Sequence, residues 1–156
     1  MGAREFFQSV REASQDVERC RSTLDALERR ALAVSRPAMG GRVSGATTDA
    51  MGARVAALVD REAALRVRIE SDYRLLDEAN RVLYGDSLHD GLAALVPSWW
   101  ADVLALRYCD GMTMREVGAV LGYSERHCYN AMSAAFDVLD AHGLCSSAAG
   151  RGFAEI

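Results

Sequence analysis

Thr113, Glu116, Gly122 and Ser124 stand at spacings that start a helix, stop it and start another. Thr113 can cap the first helix, and Glu116 three residues later can reach back to the Thr113 amide as a capping box. Val117 and Leu121 form its apolar side at i, i+4, with Met114 and Val120 flanking. Gly122 ends it, because glycine tolerates the left-handed conformation that a helix terminus needs. Ser124 caps the second helix. There Cys128, Met132, Ala135 and Leu139 follow at 4, 3 and 4 spacing as one apolar stripe. Two short helices joined by a glycine-containing turn form a helix-turn-helix, whose second helix usually enters a DNA major groove. The chemistry this run suits is hydrogen bonding to base edges and phosphates.

Other chemistries find no support in the chain. No Ser-His-Asp set, glycine-rich phosphate loop or paired carboxylate motif stands out, so no enzyme, cofactor or small-molecule substrate is expected. His89, His127 and His142 lack mutual ligand spacing, so no metal site is expected. Cys20, Cys109, Cys128 and Cys145 contain no C-x-x-C pair, which argues against zinc and disulfide frameworks. Cys20 and Cys128 fall on apolar stripes and read as reduced core thiols, which implies a cytoplasmic protein. Trp99 and Trp100 read as core or helix-staple residues rather than base-stacking platforms. No apolar run approaches the ~20 residues of a membrane span, and the N-terminus lacks an apolar signal-peptide core.

Composition sets one obstacle. All 18 basic residues are arginine, and the formal net charge is −4. Residues 1–81 hold 14 arginines against 13 acids, whereas residues 82–156 hold 4 against 9, a net of −5. A DNA reader usually carries a basic face, because phosphate neutralisation supplies most non-specific affinity. Here the segment that looks like the reader is acidic.

The elements that must position this segment are all helical, so the expected fold class is all-α. Phe6, Val10, Ala13, Val17, Cys20, Leu24, Leu27, Ala31 and Val34 alternate 4 and 3 apart, a strict heptad seam. Pro37, Gly40, Gly41 and Gly45 interrupt it, predicting a loop over 35–50 in which Thr48 or Asp49 caps the second long helix. The seam resumes as Met51, Val55, Leu58, Glu62, Leu65, Ile69, Asp72, Leu76, Ala79 and Leu83. Two helices of about 30 residues, ~45 Å long, predict an antiparallel coiled-coil-like hairpin over 1–84. Its narrow seam buries little, so a homo-oligomer through residues 6–34 and 51–83 is expected, with exchange between chains left open. Residues 85–97 read as a connector with a short helix over 88–96. Residues 98–142 form a three-helix unit with helices over 98–109, 114–121 and 125–140. Residues 143–156 read as a flexible tail.

The run from Leu104 to Leu139 resembles region 4 of bacterial sigma factors. It resembles still more the sigma-like C-terminal domain of phage transcriptional regulators of the RinA and ArpU type. The matching residues are Leu106-Arg107-Tyr108, Asp110-Gly111-Met112-Thr113, Glu116-Val117-Gly118, Leu121-Gly122-Tyr123-Ser124 and Cys128. Those phage proteins also carry a long charged helical hairpin ahead of this domain, so the resemblance extends to about residue 140. It implies that Glu125, Arg126, Tyr129 and Asn130 face base edges, with Ser124, His127 and Ser133 nearer the phosphates. Asn130 could then pair with adenine and Arg126 with guanine, each through two hydrogen bonds. Arg115 and Thr113, at the start of the preceding helix, would touch the backbone. The chain departs from the sigma pattern in having few basic residues on the second helix. It also has nothing like the sigma region that melts promoter DNA.

Three functions stand open on these grounds. The resemblance implies a phage- or prophage-encoded regulator that reads promoter DNA, most simply an activator of late genes touching host RNA polymerase. A small-terminase-like packaging protein also joins a helix-turn-helix to a helical hairpin, although usually in the reverse order. The acidic balance favours a third, a module that binds polymerase or another protein and never DNA.

Overall fold

The computed structural model describes the backbone at residues 1–35 and 45–145, and the side chains at 1–33 and 50–145. Its fold is all-α. Six α-helices follow in order among the described residues: α1 (Ala3–Ser35), α2 (Gly45–Tyr84), α3 (Leu92–Leu95), α4 (Ser98–Leu104), α5 (Met114–Leu121) and α6 (Glu125–Ala141). A π-helical turn, Ala105–Cys109, continues α4. The second long helix starts at Gly45, earlier than the sequence predicts. No proline lies between Gly45 and Tyr84, so nothing local stops the helix from extending upstream of Thr48 and Asp49. The remainder of the expected loop, 36–44, lies outside the described residues.

The chain divides into two compact units, one of residues 16–71 and one of residues 1–15 with 72 onward. This division cuts through both long helices instead of falling near residue 84.

In the first of these units, Arg68 of α2 forks onto Asp16 of α1, with Nη2 2.8 Å from Oδ1. Arg66 Nη2 reaches Glu28 Oε1 at 3.3 Å. Further along α1, Ala31 and Leu32 share a groove with Met51, Val55 and Leu58. The partners on α2 therefore recede as α1 advances, an antiparallel register. Val17 and Cys20 are buried, but Leu32 is 67 % exposed, Val59 57 % and Val55 47 %. A two-helix seam has no third surface to cover its flanks, so the apolar stripe is only half closed.

The other unit holds the main core. Phe6, Phe7 and Val10 of α1 are buried with Leu83 of α2, Leu92 of α3, Leu104 of α4 and Phe136 and Leu139 of α6. The Phe7 ring lies 5.6 Å from Tyr108 and 6.0 Å from Phe136, centroid to centroid, in tilted and edge-on arrangements that suit the aromatic quadrupole. Tyr84 Oη donates to Asp102 Oδ1 at 2.6 Å, tying the end of α2 to α4. Between them the connector folds on Asp86, whose carboxylate accepts from the Leu88 and His89 amides. Only four residues of the expected 88–96 helix are helical. Gly91 lies where a Cβ would stand 2.3 Å from the Gly85 nitrogen, so the two glycines let the chain cross itself closely.

The predicted helix over 98–109 is present but changes pitch. Asp110 N–H donates to Ala105 O at 3.1 Å, a five-residue step in place of four. Ser14 of α1 donates its hydroxyl to Cys109 O at 2.6 Å, satisfying the last carbonyl of the wide turn. The tail differs from expectation at its start: Cys145 is buried in the core and Leu144 packs against it. Burial of these two apolar side chains holds residues 143–145 to the unit, and residues 146–156 lie outside the described residues.

Candidate nucleic-acid interface

The turn between α5 and α6 is built by the local signals in its sequence. Thr113 N–H donates to Glu116 Oε2 at 2.8 Å, and Glu116 N–H donates to Thr113 Oγ1 at 3.3 Å, a complete capping box. The Thr113 amide and hydroxyl both stabilise the Glu116 carboxylate and hold its pKa below the ordinary 4.5. Gly122 closes α5 in the left-handed region at φ 77°, its amide bonded to Gly118 O at 2.9 Å. Ser124 Oγ then accepts the His127 amide at 3.2 Å and opens α6.

Gly118 explains how the two helices approach. A Cβ there would lie 2.7 Å from the Tyr123 carbonyl oxygen, closer than real Cβ atoms come. Only glycine lets the turn fold back over the middle of α5. Val117 and Met114 of α5 then bury with Cys128 of α6 and Val103 of α4 in a small second core. Burial, and secondarily the Glu125 charge, raise the Cys128 thiol pKa, as suits a packing residue.

On α6 the apolar residues Cys128, Ala131, Ala135 and Leu139 point inward. Arg126, Asn130, Ser133 and Asp137, also 4, 3 and 4 apart, form an exposed stripe on the opposite side. Glu125 and Tyr129 are exposed beside it. A guanidinium, a carboxamide and a hydroxyl in one row offer donors and acceptors of the kinds that bases and phosphates pair with.

The remaining residues named from the sequence have more committed roles. Thr113 donates its hydroxyl to Glu116 Oε2 at 3.0 Å, so its proton is spent within the cap. Arg115 is exposed on α5. His127 is exposed but stacks on Trp99, with centroids 5.0 Å apart and planes 22° apart. Trp99 also stacks on Tyr123 at 4.3 Å. Trp99 is thus a staple between α4 and the turn, and the His127 ring is part of that stack. Ser133 accepts a hydrogen bond from Arg4 Nη2 of α1 at 3.2 Å.

No protein-family model, curated protein sequence or solved structure matches this chain. The geometry of the corner and the charges around it are what bear on its role.

Those charges are distributed in a way net charge conceals. Among the described residues, Arg4, Arg11, Arg107, Arg115 and Arg126 form no ion pair. Arg107 instead donates to Met112 O at 2.9 Å. In the unit of residues 16–71, Arg19, Arg29, Arg66 and Arg68 are ion-paired, whereas Arg30, Arg54 and Arg61 form no ion pair among the described residues, and in the other unit Arg81 pairs with Glu78. Sequence reasoning missed Arg4, since nothing local marks a residue of α1 as a neighbour of α6. It also read Trp99 only as a generic core or staple residue, without its partners Tyr123 and His127.

Proposed function

We propose that this chain is a DNA-binding transcription regulator of the phage or prophage type, reading promoter DNA with α6 of a sigma region 4-like helix-turn-helix. The observation that carries this reading is the Gly118–Tyr123 approach. It locks α5 and α6 into a tight corner and leaves Arg126, Asn130 and Ser133 in one exposed row. Among the described residues Arg126 pairs with no carboxylate that would compete with a guanine or phosphate.

The half-covered stripe of Leu32, Met51, Val55 and Val59 supports association of the long helices with further copies, through residues 6–34 and 51–83. Two to four subunits in solution would suit a regulator, whereas eight or more would favour a packaging protein.

The direct test is binding to the chain's own upstream and neighbouring DNA against random duplex, across a salt series. Specific binding that Arg126→Ala with Asn130→Ala reduces to the random-duplex level is the expected result. Unchanged preference in that double variant would remove α6 as the reader. One observation favours a second reading, a polymerase- or protein-binding module: the net of −5 over residues 82–156. No duplex binding even at low salt, with a protein partner retained, would establish it.

A further inference from the structure

We propose that the first helix is part of the DNA interface: Arg4 and Arg11 of α1 contact the phosphate backbone that flanks α6. This rests on the reading of α6 as the DNA-facing helix, and it adds an element distant in sequence to that surface.

The placement of Arg4 is explicit. Its Nη2 lies 3.2 Å from Ser133 Oγ, on the exposed row of α6, and its guanidinium sits 5.0 Å over the Phe136 ring. Arg11 follows Arg4 by two helical turns and so shares its face of α1. That face borders the docked side of α1, where Phe7 is buried and Ser14 bonds Cys109 O. Glu5 and Glu12 each lie one residue further round, toward solvent. Glu5 accepts the Gly2 amide at 3.1 Å and Glu12 accepts from Gln8 at 3.3 Å, and among the described residues neither forms an ion pair with these arginines.

A second observation converges on the same place. Burial raises the pKa of the Tyr108 hydroxyl, and the charges of Arg107, Arg4 and Arg11 together oppose that rise. The charges of all three thus act on one hydroxyl. The Tyr108 hydroxyl is itself 3.7 Å from Met132 Sδ of α6. Tyr129, one turn before Ser133, also acts on it electrostatically. Arg4 thus stands on the Ser133 flank of α6 with Arg11 two turns further along α1, and among the described residues neither is ion-paired, the exposed Asp137 lying one turn beyond Ser133 on the same row.

Gathering cations in this way costs repulsion, which an anion of regular spacing relieves. DNA phosphate meets that description. Arginine on an exposed surface beside a recognition helix neutralises it through paired donors and releases counterions. The acidic total of the unit is then no obstacle, because the basic groups sit at the flank of the reading helix.

The test uses the full chain with its own upstream duplex and a random duplex of equal length, over a salt series. Variants are Arg4→Gln, Arg11→Gln and the pair, with Arg29→Gln as control because Arg29 is ion-paired to Asp25. Removing one phosphate contact should flatten the slope of log K against log salt by about 0.9, so the pair by about 1.8. The ratio of specific to random affinity should stay constant, and Arg29→Gln should change neither. Arg4→Lys should recover most of the slope, which separates a charge contact from a packing role on Phe136. Arg11 makes no such ring contact, so Arg11→Gln tests the proposal without it. If the wild type binds DNA and the double variant keeps the wild-type slope, α1 is not in the interface. If the wild type binds no duplex at any salt, the DNA reading of α6 falls and this inference with it. Loss of an acidic protein partner without any change in DNA slope would also overturn it.

Discussion

The Ala3 amide donates to Asp140 Oδ1 at 2.7 Å, so the last turn of α6 caps the first turn of α1. A carboxylate at a helix N-terminus satisfies an otherwise unpaired N–H and meets the positive end of the helix dipole. The two residues are 137 positions apart, and the bond fastens the start of the chain to the proposed DNA-reading helix.

Asp140→Ala should therefore cost about 1 kcal/mol of stability, the usual effect of removing an N-cap, and Asp140→Asn much less. Urea unfolding followed by circular dichroism measures both. Equal midpoints for Ala and wild type would show that the cap contributes nothing.

Gly118 and Gly122 make separable contributions to the turn. Gly118→Ala places a Cβ against the Tyr123 carbonyl and should cost about 1–3 kcal/mol, as overpacking against backbone does. Gly122→Ala meets no atom within 4 Å and should cost only the left-handed conformation, about 1–2 kcal/mol. DNA binding at a temperature where both variants remain folded should fall further for Gly118→Ala, because its clash displaces α6. The reverse order in both assays would contradict the close approach.

The capping box carries a pH signature. The Glu116 carboxyl is held below its ordinary value when folded, so its contribution is present above the unfolded pKa. It is lost as pH falls through the lowered folded pKa. The stability gap between wild type and Glu116→Ala should thus be open at neutral pH and close in acid. A gap that stays constant into acid would show that the carboxylate charge plays no part.

The thiols should be inert in the native state. Burial pushes Cys109 up to about 11 and Cys145 up to about 12, and the nearby Asp110 and Asp140 add to each rise. Neither forms appreciable thiolate at neutral pH, and thiolate is the reactive species. A disulfide reagent should label both slowly in the folded chain and rapidly in urea. Fast native labelling of Cys145 would mean that the segment after α6 does not close over the core.

The helix corner was legible in the sequence because its signals act over three or four residues. Thr113 with Glu116, Gly122 and Ser124 each satisfy backbone groups within a turn of themselves, so residue type and spacing suffice. The heptad seam was legible for a similar reason, since periodicity states which face of a helix is apolar. It does not state what covers that face. Phe6 and Val10 open a seam that reads as continuous to Val34. Yet in the structure they bury against α4 and α6, because only a multi-helix core can enclose rings as large as Phe6 and Phe7. From that packing come the Asp140 cap on Ala3, the Ser14 bond to the π turn and the position of Arg4 beside Ser133. Each joins groups 95 residues or more apart. The sequence alone determined the helices and the corner between α5 and α6. Tertiary structure decided which charges stand beside that corner, because long-range burial of α1 has no local periodic signal.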